Sequence, residues 1–393
     1  MQTLSQSPTA PDFVQNPYPF YETARACGPF FRWADYDLIC TASAAAANAI
    51  FRDRRFGREV PRELAPKVAP HTADFYAVEA HSMLELEPPR HTRLRSLVMR
   101  AFTSRRIASL HGDIESLSHS LIDALPKGEF DLITGFAQPL PVIIIARLLG
   151  VPETMADQLL GWSNKMVGMY QARRTLAMEH AANAAACAFS DFLRDYVERR
   201  RATPADDLIT QLIAAESEGE RLSTDELIAT CILLLNAGHE ATVHTIGNGV
   251  KTLLETGTAS HTQTPDLMPG LIEEILRFDP ALHMFTRFAY EPVDVMGHQF
   301  ERGDRIGVLL GATNRDPSVW TRPDQFLPLR PEKQHLAFGA GLHFCVGAPL
   351  ARLELQISLP ILFQRLPGLH LAQTPRYADV YHFHGLESLM LRR

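Results

Sequence analysis

Cysteine is scarce in this chain of 393 residues, which contains only five. They are Cys27, Cys40, Cys187, Cys231 and Cys345, an odd number at wide spacings. Such a set excludes the dense disulfide framework of a small secreted protein and is typical of a reducing compartment. We therefore expect a cytoplasmic protein.

The sequence also lacks a long apolar run at its start and any run of like charge. The segment from Met1 to Pro17 is polar, so it predicts neither a signal peptide nor a membrane anchor. A formal net charge of −7 gives no sign of nucleic-acid binding. With 46% apolar and 21% charged residues, the composition is that of a soluble globular protein. We expect neither a membrane nor a nucleic acid as a partner.

A glycine-rich segment near the C-terminus, FGAGLHFCVG over 338–347, precedes a helical pattern over 350–362. At the start of a helix, free N–H groups and the positive end of the dipole stabilise a thiolate. The glycines allow a flat ligand to approach the backbone closely. A thiolate in this place is a nucleophile or a metal ligand. The alternative is a small buried residue beside an ordinary turn.

A second pattern is the segment EPPRHTRLR over 87–95, in which two prolines fix the start of a helix. His91 and Arg95 are four residues apart and share a helix face. Two cationic donors on one face can clamp a carboxylate. The alternative is a basic helix that is simply solvated.

The longest helical pattern runs from Leu222 to Glu255 and begins with a capping box, Ser223 with Glu226. Its middle, NAGHEAT over 236–242, breaks local rules. Glycine costs about 1 kcal/mol in a helix interior, and an acid in apolar surroundings costs more. Such violations often mark a functional site. The alternative is a kinked core helix with one solvated glutamate.

These segments resemble motifs of the cytochrome P450 monooxygenases, in the same order along the chain. F-G-x-G-x-H-x-C-x-G followed by L-A-R-x-E resembles the haem-thiolate loop, and P-P-x-H-x-x-x-R resembles a segment that holds a haem propionate. The middle of the long helix is similar to the oxygen-binding groove, A-G-x-(D/E)-T. Glu274 with Arg277 matches E-x-x-R, and Arg330 is expected to complete a buried ionic network with them.

The resemblance covers about residues 17 to 391. It implies a mainly α fold with a small β region: a single domain over 17–393 that follows a flexible N-terminus at 1–16. Haem would lie between the long central helix and the helix after Cys345.

The resemblance also implies roles for individual residues. Cys345 would be the axial metal ligand of haem b, where electron donation from sulfur favours cleavage of the O–O bond. Glu240 would relay protons to dioxygen through water. The propionate ligands would be His91, Arg95, Arg287 and His343. The other residues expected to bind the cofactor are Leu84, Ala237, Gly238, Phe338, Gly339, Val346 and Gly347.

One catalytic position departs from the family pattern. The threonine expected after the acid is Ala241, and Thr242 follows one residue later. One residue is about 100° of helix rotation, so we expect that Thr242 does not replace the missing hydroxyl. Our hypothesis is that an oxygenated substrate supplies the missing contact, with Asn236 or His283 nearby.

The substrate pocket is expected to be apolar and of medium size. The residues assigned to it are Met83, Met169, Asn236, Leu282, His283, Met284, Phe285 and Phe383. The implied reaction inserts one oxygen atom of O2 into an apolar small molecule, as a hydroxylation.

No flavin- or iron–sulfur-binding pattern occurs in the sequence. A separate ferredoxin or flavodoxin, with its NAD(P)H reductase, would therefore supply electrons. Its expected docking patch is Arg100, Arg105, Arg106 and Arg352. Two alternatives remain open. One is a haem-thiolate enzyme that uses peroxide or catalyses a non-oxygenating rearrangement, and the other is a non-catalytic haem-binding sensor.

Overall fold

Helices dominate the structure, a computed structural model that describes residues 1–171, 174–217, 219–332, 334–381 and 383–393. The α-helices, numbered in chain order, are α1 (Pro11–Gln15), α2 (Tyr18–Ala26), α3 (Ala44–Arg52), α4 (Ala73–Glu79), α5 (Arg90–Ala101), α6 (Ser104–Ser109), α7 (His111–Ala124), α8 (Pro139–Leu149), α9 (Ala156–Val167), α10 (Leu176–Ala202), α11 (Leu208–Ala214), α12 (Thr224–Glu255), α13 (Met268–Phe278), α14 (Leu310–Thr313) and α15 (Ala348–Arg365). Within the described residues, none of these helices has the length and apolarity needed to span a membrane.

The strands are short and form a small β region, as the sequence predicts. They are β1 (Thr3–Leu4), β2 (Phe31–Trp33), β3 (Leu38–Thr41), β4 (Phe56–Gly57), β5 (Glu129–Asp131), β6 (Glu216–Ser217), β7 (Glu220–Arg221), β8 (Met284–Ala289), β9 (Val293–Val295), β10 (His298–Phe300), β11 (Arg305–Leu309), β12 (His370–Leu371), β13 (Arg376–Tyr377), β14 (Leu386–Ser388) and β15 (Met390–Arg392). The largest sheet has the order β1-β2-β3-β11-β8-β4. In it β11 runs parallel to β3 and antiparallel to β8, with Gly307 opposite Thr286.

Residues 1–16 take part in the fold, in contrast to the predicted flexible N-terminus. Strand β1 pairs in parallel with β2, and Phe13 in α1 is 4% exposed. Its ring packs edge-on against Tyr21 and Trp33. One buried aromatic ring supplies enough apolar contact to hold a short segment in place, although the composition of that segment is polar.

Helix α12 passes through the largest hydrophobic core for 32 residues. Its capping box forms as predicted. Ser223 Oγ accepts from the amide of Glu226, and Glu226 Oε2 accepts from the amide of Ser223. Helix α8 packs along α12 and places Ile144 and Ile145 in the same core.

Glu274, Arg277 and Arg330 form the buried ionic network that the resemblance implies. Nε of Arg277 lies 2.7 Å from Glu274, Nε of Arg330 lies 3.1 Å from it, and each side chain is at most 2% exposed. Glu274 also accepts from the amide of Leu327 at 2.7 Å. One carboxylate therefore fixes α13 to the segment that leads into the cysteine loop.

Candidate haem-thiolate site

Cys345 ends a tight loop immediately before α15. Its amide donates to the carbonyl of Phe338 at 3.1 Å, which closes the loop. Gly339 and Gly341 have φ angles of 67° and 70°, in the left-handed region that favours glycine. A Cβ at Gly341 would also collide with the backbone of Phe51 in α3. The loop conformation therefore depends on these two glycines.

The Cys345 sulfur lies among donors suited to a thiolate. Burial raises the pKa of the thiol, and the amides of Gly347 and Ala348 and the charges of Arg95 and Arg352 act in the opposite direction. The net direction is upward, so the free side chain is a thiol. A metal cation deprotonates a coordinating thiol, and these four donors then stabilise the thiolate.

His91 and His343 lie together beside the loop, with ring centroids 4.4 Å apart. Nε2 of His343 is 2.8 Å from Glu87, and Arg95 donates to the carbonyl of Phe344 at 2.7 Å. Nδ1 of His91 is buried without a hydrogen-bond partner. Burial, with the charges of His343 and Arg95, lowers the pKa of His91 to about 4. An unpartnered buried group costs about 1–3 kcal/mol, and a carboxylate placed here would satisfy it.

Arg287 on β8 is a buried guanidinium, 3% exposed, and the ion pairs of the described residues give it no carboxylate partner. It donates to the carbonyl of Thr286 at 2.8 Å, and its Cζ lies 4.8 Å from the ring centroid of Phe51. Burial, with the nearby charge of Arg58, lowers the pKa of Arg287 to about 9. This uncompensated positive charge fits an anion held against β8.

One face of α12 is accessible in the middle of the molecule. The accessible positions are Leu234, Ala237, Gly238, Ala241 and His244. Spacings of three and four place them on one side of the helix. A Cβ at Gly238 would lie 2.6 Å from Cδ1 of Ile145 in α8. The absence of a side chain at Gly238 therefore allows α8 to pack against α12. The small side chains of Ala237 and Ala241 leave an open space beside α12, which we call the chamber.

Glu240 is held between two histidines of its own helix. Nε2 of His239 is 3.1 Å from Oε2, and Nε2 of His244 is 3.3 Å from Oε1. Burial alone would raise the pKa of Glu240, but hydrogen bonds from the two imidazoles hold it well below its usual range. Glu240 is therefore an anion at neutral pH. The predicted general acid then needs a neighbouring source of protons.

Neither threonine near Ala241 offers a free hydroxyl proton on the open face. Thr242 is 4% exposed, and its Oγ1 donates to the carbonyl of Gly238 at 2.9 Å. Thr245 donates to the carbonyl of Ala241 at 2.7 Å. The Thr242 hydroxyl is therefore directed into its own helix, in the direction that the rotation argument predicts.

Two residues predicted to line the substrate pocket lie elsewhere. His283 is 0% exposed, its Nδ1 is 2.8 Å from Tyr21 Oη, and its ring is 4.3 Å from that of His384. Met284 packs on the N-terminal aromatic core, where a Cβ at Gly307 would lie 3.1 Å from its sulfur. Both side chains pack against N-terminal residues far away in the sequence, and such contacts cannot be predicted from the local pattern around residues 282–287.

Leu282 and Phe383 form an isolated β-bridge, and the ring of Phe383 lies 5.8 Å from that of His244 on α12. Phe285 lies at the cysteine loop, because a Cβ at Gly339 would be 3.3 Å from its ring. These three predicted pocket residues therefore connect β8, the C-terminal loop and α12.

Met83 and Met169 are buried in the main core, and Leu84 packs against it. Nδ2 of Asn236 lies 3.8 Å from the sulfur of Met166 in α9, while its Oδ1 is buried without a partner. With His283 elsewhere, Asn236 is the remaining candidate for a polar contact with the substrate.

A charged cluster escaped the sequence reasoning. Arg58 pairs with Glu85 at 2.6 Å, and Tyr170 Oη lies 3.1 Å from both carboxylate oxygens of Glu79. Cζ of Arg58 is 5.8 Å from the ring centroid of Phe285. Burial, with the charge of Glu85, raises the pKa of Glu79 to about 8. Its members come from segments far apart in the sequence, so no local motif could reveal it.

The predicted docking patch is smaller than expected. Arg106 bonds to Asp206 at 3.1 Å, and Arg352 bonds to Glu273 at 2.6 Å. Arg100 and Arg105 remain exposed.

Comparison with known proteins identifies the class. The family model for cytochrome P450 matches residues 250–369. The chain is 35% identical over 393 residues to a biotin biosynthesis cytochrome P450 of Bacillus subtilis, covering 98% of each protein. It is 35% identical over 394 residues to the cytochrome P450 monooxygenase PikC of Streptomyces venezuelae, covering 97% of this chain and 92% of PikC.

Solved structures of cytochrome P450 enzymes are also similar to this chain. P450BioI, crystallised with an acyl carrier protein ligated to hexadec-9Z-enoic acid, superposes with a TM-score of 0.91 at 34% identity, covering 97% of this chain and 99% of that one. The polyketide synthase cytochrome P450 PksS of Bacillus subtilis gives a TM-score of 0.89 at 33% identity, covering 98% and 99%. This chain therefore belongs to the cytochrome P450 family. It is an oxidoreductase of the monooxygenase type, and the family implies a haem cofactor.

Proposed function

We propose that this chain hydroxylates an apolar small molecule with one oxygen atom of O2. The observation that carries the proposal is the Cys345 loop, in which two backbone amides and two guanidiniums favour a thiolate. In this family a cysteine thiolate on haem iron promotes cleavage of the O–O bond. The accessible, small-residue face of α12 supports the same conclusion.

The side chains fit haem b, and Cys345 would hold its iron. His91 has an unpartnered buried nitrogen, and Arg287 has an uncompensated buried charge. The guanidiniums of Arg95 and Arg287 would pair with the two propionates, and His91 and His343 would donate N–H bonds to them. Leu84, Phe338, Val346 and the glycines of the loop would pack against the macrocycle. Haem, when bound, supplies the activation of dioxygen.

The remaining residues of the site would bind the substrate, exclude water and supply protons. Leu282, Phe285 and Phe383 offer apolar contact area, and Asn236 offers one unpartnered oxygen. Glu240 would pass protons to water in the chamber. Since Ala241 lacks a hydroxyl, a hydroxyl or carbonyl of the substrate would order that water.

Electrons would come from a separate ferredoxin or flavodoxin and its reductase in the cytoplasm. Arg100 and Arg105 are exposed for an acidic donor. Met99 beside them is 48% exposed, which adds an apolar contact. The acyl carrier protein bound to P450BioI raises the possibility of a carrier-bound substrate as a second candidate.

The test is a turnover assay with three arms. Purified holoprotein receives NADPH with a surrogate ferredoxin and reductase, or peroxide alone, or neither. The substrates are fatty acids and macrolactones that shift the haem spectrum, each offered free or as the acyl carrier thioester. Product in the first arm supports the proposal. Product only with peroxide supports the peroxide-using alternative, and no product in either arm with bound ligand supports a sensor.

A further inference from the structure

We propose that His239 carries both ring protons as a buried imidazolium, and that it is the proton store that serves Glu240. It would be a positioning residue for the monooxygenase reaction. The location of the proton rests on hydrogen-bond geometry, and its use in catalysis rests on the proposed function.

Both ring nitrogens of His239 face acceptors. Nδ1 is 2.9 Å from the carbonyl oxygen of Leu235, an atom that can only accept. Nε2 is 3.1 Å from Oε2 of Glu240 and 3.3 Å from Oδ1 of Asn164 in α9. A neutral imidazole has one N–H and one lone pair. Because the Glu240 carboxyl is ionised, either neutral tautomer directs a nitrogen lone pair at an oxygen lone pair, and the doubly protonated ring satisfies both sides.

Rotating neighbouring side chains does not remove this contact between lone pairs. Rotating the Asn164 amide would bring an N–H to Nε2, yet the Glu240 carboxylate would still face a nitrogen lone pair at 3.1 Å. Ser163 Oγ is 3.4 Å from Nδ1, farther than the carbonyl of Leu235. It therefore does not relieve the contact with that carbonyl.

Because His239 is buried, a positive charge on its ring requires a nearby counter-ion. His239 is 1% exposed, and a buried cation without a counter-ion is strongly disfavoured. Among the described residues, the groups that form hydrogen bonds or ion pairs with it are the carbonyl of Leu235, Ser163, Asn164 and Glu240, of which Glu240 is the titratable one. The Glu240 anion is therefore the counter-ion that holds the proton on His239.

His244 provides an internal control. Its Nε2 is 3.3 Å from the other oxygen of Glu240, but its Nδ1 is buried without a partner. A single proton on Nε2 satisfies that geometry, and no acceptor calls for a second one. The two histidines share one carboxylate and differ in whether the second nitrogen meets an acceptor.

The proton moves directly from His239 to Glu240. The Nε2–H bond of His239 breaks and an O–H bond forms on Oε2 of Glu240, which leaves a neutral imidazole and a neutral carboxyl. The Glu240 side chain is 24% exposed whereas His239 is 1% exposed. Glu240 is therefore the member that releases the proton to water in the chamber. A solvent proton then restores the imidazolium.

Histidine-ring nitrogen NMR tests the proton directly. The holoprotein, labelled with nitrogen-15 in histidine, is reduced and bound to CO so that it is diamagnetic, and is measured at pH 7.5. We expect one solvent-protected ring with two protonated nitrogens. That signal should vanish in His239→Gln, persist in His244→Gln, and become a one-proton ring in Glu240→Gln. A one-proton pattern for His239 in the wild type overturns the proposal.

Uncoupling tests the role. With NADPH, surrogate ferredoxin and reductase, His239→Gln should release a several-fold larger share of electrons as peroxide, and His239→Lys, which keeps a cation with N–H donors, should recover part of the loss. The solvent isotope effect on NADPH oxidation should rise in His239→Gln and rise less in His244→Gln, because His244 also bonds to Glu240 but its second nitrogen meets no acceptor. Equal behaviour of the two glutamine variants would refute a special role for His239. The CO band of each variant separately reports whether the haem-thiolate site itself is intact.

Discussion

Replacing Arg287 by methionine should stabilise the protein without haem and weaken the protein with haem. Burial, with the charge of Arg58, lowers the pKa of Arg287 from 12.5 to about 9. At about 1.36 kcal/mol per pKa unit, the buried charge costs the folded apoprotein on the order of 5 kcal/mol. Methionine removes this cost but also loses the contact with Phe51 and the bond to the carbonyl of Thr286, together about 2 kcal/mol. The net gain should be about 2–3 kcal/mol.

The sign of the pH dependence follows from the direction of the shift. The pKa of this base is lower in the folded than in the unfolded protein, so its penalty is complete below about pH 9 and is relieved as pH rises above that value. The stability gain of Arg287→Met should therefore be largest at pH 7.5 and smaller at pH 10.5. In the holoprotein the variant loses a charge-assisted bond of about 1.5–3 kcal/mol to a propionate. Haem should then be lost faster.

Thermal unfolding of the apoprotein and transfer of haem to apomyoglobin measure the two effects. Arg93→Met is the matched control, because Arg93 lies on the same helix as His91 and Arg95 but pairs with Glu220 and Glu226. It should lower stability by up to about 1 kcal/mol in both forms and leave haem transfer unchanged. A lower melting temperature of the Arg287→Met apoprotein, or haem transfer at the wild-type rate, would refute the assignment.

Five further substitutions, two of them paired, test other parts of the structure. The reduced CO complex should show the thiolate-type Soret band, and Cys345→His should shift it to that of an imidazole-ligated haem; an imidazole-type band in the wild type would exclude the thiolate. Ala241→Thr should increase product formed per NADPH for a purely hydrocarbon substrate and give no gain for an oxygenated one, and good wild-type coupling with the hydrocarbon would end the substrate-assisted hypothesis. Gly238→Ala should lower the melting temperature by overpacking, at a cost of about 1–3 kcal/mol, and Ile145→Val should recover part of this loss; independent effects would show that the contact at 2.6 Å is relieved elsewhere. Glu274→Gln should cost about 3–5 kcal/mol in unfolding free energy, and a loss below 1 kcal/mol would mean that the network is not a buried ion pair.

Motif spacing predicted those parts of the site that are local in the chain. The cysteine loop requires glycines at positive φ, and the sequence shows them at 339 and 341. Likewise, the rotation between Ala241 and Thr242 follows from helix geometry, and Thr242 is turned into its own helix as expected. The E-x-x-R pair forms its predicted ion pair for the same reason, since three residues bring the side chains together on one helix face.

Motif spacing could not predict contacts between segments that are far apart in the sequence. His283 was assigned to the pocket, yet it bonds to Tyr21 of α2, a residue 262 positions away in the sequence. Ile145 of α8 packs against Gly238 of α12, a contact between two helices. The cluster of Arg58 and Glu79 is formed by segments that share no sequence motif.

The sequence by itself determined the long helix and the cysteine loop and predicted a thiolate ligand, because these depend on spacing along one element. Only the tertiary structure decided the protonation of the site. Glu240 is an anion because two imidazoles converge on it, and Asn164 of a separate helix completes the set of acceptors around His239. Charge states in a buried site depend on every group within hydrogen-bond distance, and the folded chain alone brings those groups together.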